Sequence, residues 1–92
     1  MPDFLMHDRQ DNVGVAVVDI KSGQVVNGVS LDRARTLELT AVQDIPLGHK
    51  IALQDFKVGD TVLKYGTDIG SVVLEIKKGA HVHVHNLKTK RW

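Results

Sequence analysis

The stretch Ile20–Val26, IKSGQVV, decides how this chain reads, because its pattern returns three more times. An apolar residue, two variable residues, glycine, two more and an apolar residue recur as IPLGHKI (45–51), FKVGDTV (56–62) and IKKGAHV (76–82). Three copies follow an aspartate, Asp19, Asp44 or Asp55, and the fourth follows Glu75. Physically the phrase is a strand end, a tight turn and a new strand. Its glycine supplies the φ > 0 position that other residues reach only at a cost. The preceding acid can accept hydrogen bonds from turn amides. Pro46, two before Gly48, has the fixed φ that suits the first corner of a turn.

Working outward, the segments between these turns have period two or are short apolar runs. VGVAVVDI (13–20) is apolar on both faces, as a buried strand is. TLELTAV (36–42) alternates, and KIALQDF (50–56), TVLKY (61–65), SVVLEI (71–76) and HVHVH (81–85) complete six expected strands. The sole helical expectation is one turn over SLDRAR (30–35), with Ser30 as its cap. The copies are too unevenly spaced for a solenoid. The expectation is an all-β single domain over 1–92, built of short bent strands with little or no helix.

Composition narrows the function classes. Twelve Lys and Arg against eleven Asp and Glu give a net charge of +1, unlike the basic balance of a nucleic-acid binder. With no cysteine, a disulfide framework, a thiol nucleophile and a thiolate metal site are all excluded. A chain this short buries about 60–65% of its unfolded surface, so its core is small. The opening MPDFLMHDRQDN lacks the basic and apolar regions of a signal peptide, and no apolar run approaches a membrane span. A cytoplasmic location is therefore expected. Lys77, Lys78, Lys88, Lys90 and Arg91 form a basic tail, either a solvated surface or a bed for small acids.

The residues with the most chemistry lie in HVHVHN (81–86). On one strand His81, His83 and His85 share a face, with neighbouring imidazoles about 7 Å apart at Cα and the outer two about 13 Å apart. Two could chelate one ion, but all three could not, so a further ligand such as His49 or His7 would be needed. Metal ligation, contact with an anionic substrate and a plain exposed face all fit this pattern. In GHKI, His49 and Lys50 follow a turn glycine, where a cation beside an imidazole suits a carboxylate or sulfonate. KYGTDIG (64–70) reads as a hairpin loop, with Tyr65 packed. Asp11 and Asn12, just before the first strong strand, favour a fixed turn. Trp92 is either frayed or docked on a partner.

Four stretches taken in order, DNVGVAV, IPLGHKIAL, YGTDIG and HVHVHN, resemble the small SAF-type domain of the altronate/galactarate dehydratase family over roughly Phe4 to Trp92. The resemblance implies a β-clip fold. It also implies a small subunit that acts with a large catalytic one, as a cytoplasmic hetero-oligomer. The implied reaction is elimination of a β-substituent from an anionic 2-hydroxy acid, with iron as cofactor held mainly by the partner. As a free-standing chain, it implies a lyase that cleaves 3-sulfolactate to pyruvate and sulfite. A sugar-acid dehydratase subunit is the alternative, and a non-catalytic SAF binding module a further one. Carried over, the family pattern falls on Asp11, Asn12, Gly48, His49, Lys50, Tyr65, Gly66, Gly70, His83, His85 and Asn86. It implies His83 and His85 as catalytic candidates and as a metal pair, and His49, Lys50, Asn86 and Asn12 as substrate-binding residues. The family pattern does not require His81, which is therefore expected to be incidental.

Overall fold

All four repeated phrases form the same turn in the computed structural model, which describes residues 1–8, 10–64 and 66–89. In each turn the amide of the fourth residue donates to the carbonyl of the first. The pairs are Gln24 to Lys21, His49 to Pro46, Asp60 to Lys57 and Ala80 to Lys77, at 2.9–3.0 Å. The third residue is Gly23, Gly48, Gly59 or Gly79, with φ between 86° and 94°, the left-handed value a type II turn needs there. Pro46 corrects its expected placement. It opens its turn as the carbonyl acceptor, and Leu47 occupies the first corner.

The turns work in pairs. Ile20 and Ile45 exchange both backbone hydrogen bonds, and so do Phe56 and Ile76. Each of the three aspartates then reaches across its pair and leaves its own turn alone. Asp19 accepts from Leu47 N, Asp44 from Ser22 N and Asp55 from Lys78 N, at 2.8–2.9 Å. A short carboxylate thus satisfies a turn amide that would otherwise face only water.

Nine strands result among the described residues: β1 Phe4–Met6, β2 Val13–Ala16, β3 Val25–Ser30, β4 Thr36–Thr40, β5 Lys50–Ala52, β6 Thr61–Lys64, β7 Thr67–Val72, β8 His81–Val82 and β9 Leu87–Lys88. Six form one sheet in the order β4-β3-β1-β2-β5-β8, and three form a second in the order β6-β7-β9. Among the described residues only β1 with β3 is parallel. The described residues contain no helix, and so none long and apolar enough to cross a membrane. The all-β expectation holds.

Several boundaries differ from the sequence reading. β1, β3 and β9 are absent from the six expected strands, and β3 carries Gly28 in its interior. The glycine is there for space. A Cβ on Gly28 would lie 2.0 Å from the Phe4 ring, and one on Gly14 2.5 Å from it, so Phe4 packs onto two bare backbones. The SLDRAR segment is no helix. Ser30 ends β3, its hydroxyl accepts from Arg35 N at 3.0 Å and donates to Asp32 at 2.5 Å, and Arg33 adopts φ 60°. KYGTDIG is the expected hairpin between β6 and β7, while Tyr65 and Trp92 lie outside the described residues.

Two apolar clusters fill the interior. Phe4, Met6, Ile20, Val26, Ile45 and Ile51 lead the first, and Phe56, Val62, Val72, Ile76 and Val82 the second. β2 and β5 run through both, since Ala16 and Ile51 belong to the first while Val13 and Ala52 belong to the second. The two turn pairs therefore meet along the β2–β5–β8 seam.

Candidate functional site

The histidines assemble on that seam. β5 leaves the second turn and β8 the fourth, and they pair antiparallel with Ile51 opposite His81 and Lys50 opposite Val82. The next residues outward, His49 and His83, therefore face each other, and their rings stack with centroids 4.4 Å apart. His49 Nδ1 lies 2.8 Å from His81 Nε2, so one of these nitrogens donates and the other accepts. One ring nitrogen from each of His49, His81 and His83 falls within a 4.8 Å span, a set able to hold one metal ion.

The HVHVH segment is not a continuous strand. β8 stops at Val82, and residues 83–86 turn. Asn86 enforces the turn: its Oδ1 accepts from His83 N at 2.9 Å and its Nδ2 donates to His81 O at 2.7 Å. The backbone amides of Asn86 and Leu87 both donate to His83 O. The turn carries His85 outward. It is exposed, and its ring contacts that of His81 at 5.2 Å. His81 is fixed at its backbone by Gln43, whose Oε1 accepts from His81 N at 2.9 Å.

The expected site residues thus separate. His49, Lys50 and His83 come together, and His81 joins them. His85 stands at the rim. Asn86 is 5% exposed, with its amide committed to the backbone of the turn. Asn12 is likewise engaged, its Oδ1 accepting from Leu63 N at 2.7 Å and its Nδ2 donating to Thr61 O at 3.0 Å, which ties the residue before β2 to β6. Asp11 is buried and accepts from the amides of His7, Asp8 and Gly66. The sequence did hold a signal for the His49 contact. Both histidine strands leave a copy of the same turn phrase, but nothing in the sequence says which exits are neighbours.

Electrostatics favours the neutral forms of His81 and His83. Burial lowers the His81 pKa below the ordinary 6.5, helped by the charges of His49, His85, His83 and Lys50. His83 is lowered too, by loss of hydration first and then by His49, Lys50 and His85. The Nδ1 of His83 is buried without a hydrogen-bond partner. Lys50 is lowered by burial and by Lys64, and His7 is lowered by burial first and then by Lys64, against an opposing pull from Asp11. Lys64 and Lys50 therefore make an electropositive patch beside the neutral His81 and His83, which suits an anionic ligand.

Residues 2–90 match the profile of the altronate/galactarate dehydratase SAF domain. The chain is 50% identical over 91 residues to the (2R)-sulfolactate sulfo-lyase subunit alpha of Chromohalobacter salexigens, covering 98% of this chain and 97% of that one. It is 61% identical over 54 residues to the same subunit of Paracoccus pantotrophus, covering 59% of this chain and 81% of that one. It is 42% identical over 91 residues to the altronate dehydratase of Bacillus subtilis, covering 97% of this chain but only 17% of that enzyme.

Proposed function

Because the chain belongs to the altronate/galactarate dehydratase SAF-domain family, we propose that it is the small subunit of a two-subunit lyase. The reaction is elimination of sulfite from (2R)-3-sulfolactate to give pyruvate. The observation that carries this reading is the end-to-end match to a sulfo-lyase alpha subunit, 98% of one chain on 97% of the other. Likeness to the dehydratase instead confines this sequence to 17% of a much longer enzyme. That ratio supports a large partner subunit that supplies the remainder of the site.

The chemistry asks for three things. A base removes the C2 proton, the C3–S bond breaks with its electron pair leaving on sulfite, and the resulting enol tautomerises to pyruvate. The small subunit forms one wall of the site. Lys50 and the electropositive patch hold the sulfonate and carboxylate charges, where charge-assisted bonds are strongest. A neutral imidazole such as His83 can either ligate a metal or accept a proton near pH 7, and His85 at the rim can reach a group on the partner. Asn86 and Asn12 position this wall through the backbone they bind. The all-imidazole set His49, His81 and His83 fits a divalent iron, although the large subunit holds most of the ligands. When bound, iron supplies Lewis-acid polarisation of the substrate oxygens. The domain spans 1–92, and the enzyme is cytoplasmic.

The test is to recover the tagged chain with its large partner from its native cells and to assay the complex. With (2R)-3-sulfolactate it should release sulfite and pyruvate in equal amounts. Dehydration of altronate or galactarate without sulfite release would transfer the proposal to the sugar-acid dehydratases. A chain recovered alone would favour a SAF binding module.

A further inference from the structure

The lyase role places the iron mainly on the large subunit and requires no complete metal site on this chain. We infer that His49, His81 and His83 form such a site by themselves, taking one divalent transition-metal ion of the Zn(II), Fe(II) or Co(II) class, with His85 outside it.

Geometry is the first support. Ligand nitrogens about 2.1 Å from one ion sit roughly 3–4 Å from one another, and the three rings offer nitrogens within 4.8 Å. His49 Nδ1 and His81 Nε2, at 2.8 Å, aim at each other and can share only one proton, which an ion between them would replace. A small opening of that pair reaches ligand spacing. The second support is the buried Nδ1 of His83, which has no partner in the protein. A buried polar atom left unpaired carries a cost that native structures rarely accept without a bound group to explain it.

The ligands are also held in place, which a metal site needs. His49 sits in a closed turn, its amide on Pro46 O and its carbonyl accepting from Ala16 N. Gln43 anchors His81, and Asn86 anchors His83. The donor set selects the metal. Three imidazoles with no carboxylate suit zinc, iron or cobalt, and are wrong for calcium or magnesium, which take oxygen. Three protein ligands leave coordination positions open, as catalytic sites do. Lys50 beside them adds positive charge, so a carboxylate or sulfonate is the natural fourth ligand.

The inference holds whichever 2-hydroxy acid the enzyme uses, and its test needs neither the partner nor activity. The full chain, untagged and stripped with a chelator, is titrated with Co(II) and followed by visible absorption. One equivalent should saturate the signal, and Zn(II) should abolish it. His49→Ala, His81→Ala and His83→Ala should each weaken Co(II) binding at least about tenfold, while His85→Ala leaves it unchanged. Zn(II) added to the unaltered chain should shift the imidazole NMR signals of His49, His81 and His83 together, and spare His7 and His85. That second readout needs no variant to fold. No saturable binding, or a shift of His85 equal to the others, would overturn the inference.

Discussion

The two turn pairs are built alike and end differently. In the first, Asp19 and Asp44 each cap the other's turn, and Lys21 adds an exposed ion pair with Asp44 at 3.9 Å. In the second, Asp55 caps its partner turn, but among the described residues Glu75 makes no matching bond to Val58 N. Glutamate has one more methylene and more rotamer freedom, and the short reach from strand end to turn amide suits aspartate. The first pair is thus closed by symmetry. The second is looser, and it is also the one that leads into His81, His83 and the Asn86 turn. A repeated frame provides the scaffold, and the departures from repetition provide the chemistry.

The sharpest way to break the likeness is through its glycines. Gly23 and Gly79 share the same turn position and nearly the same φ, 89° and 87°. A Cβ on Gly23 meets nothing within 4 Å, whereas one on Gly79 would lie 2.2 Å from Thr40 O. Gly23→Ala should cost about 1–2 kcal/mol from its left-handed backbone alone. Gly79→Ala should add about 1–3 kcal/mol of overpacking, and urea denaturation of both variants measures the gap. Equal losses would show that the second turn pair yields around the intruding methyl.

The crossed caps come next. Asp44→Ala should lower stability by about 1 kcal/mol, since Ser22 N loses its acceptor, while Glu75→Ala should stay within about 0.5 kcal/mol. Glu75→Asp tests the same point from the other side. It should create the missing fourth cap and raise stability by a few tenths to about 1 kcal/mol, read as a higher denaturation midpoint.

The smallest effect expected is on pH. His7, His81 and His83 all have folded pKa values below the ordinary 6.5, so the native state favours their neutral forms. Their contribution is present above pH 6.5 and is lost as pH falls through that value toward the folded ones, because the unfolded chain takes up protons first. The metal-free chain should therefore melt at a lower temperature at pH 5.5 than at pH 7.5. Replacing both His81 and His83 by Gln should flatten that dependence.

Much of the fold was legible because turns are local. The four glycines, the acids before them and the apolar residues flanking them all follow from the chemistry of a few consecutive residues. The strands were less legible. HVHVH reads as a strand by alternation, yet Asn86 bends it after Val82 by binding the backbone of His81 and His83. A side chain that competes with the ladder in this way leaves no trace in hydrophobic period. The glycine in β3 hides its reason as well, since it answers a ring 24 positions away in the sequence: Phe4, packed on its bare backbone.

The site divides along the same line. The sequence by itself determined the residue types: imidazoles and a lysine beside turn glycines, no thiols, and a chain order that resembles one enzyme family. It marked His49, Lys50, His83 and His85, with Asn86 and Asn12, and it set His81 aside. Only the tertiary structure decided which imidazoles meet. His49 and His83 stand 34 positions apart, and they stack because β5 and β8 pair across the seam between two clusters. Pairing between distant strands depends on how whole turn pairs pack, and that is a property of the assembled core, beyond what any local stretch can encode.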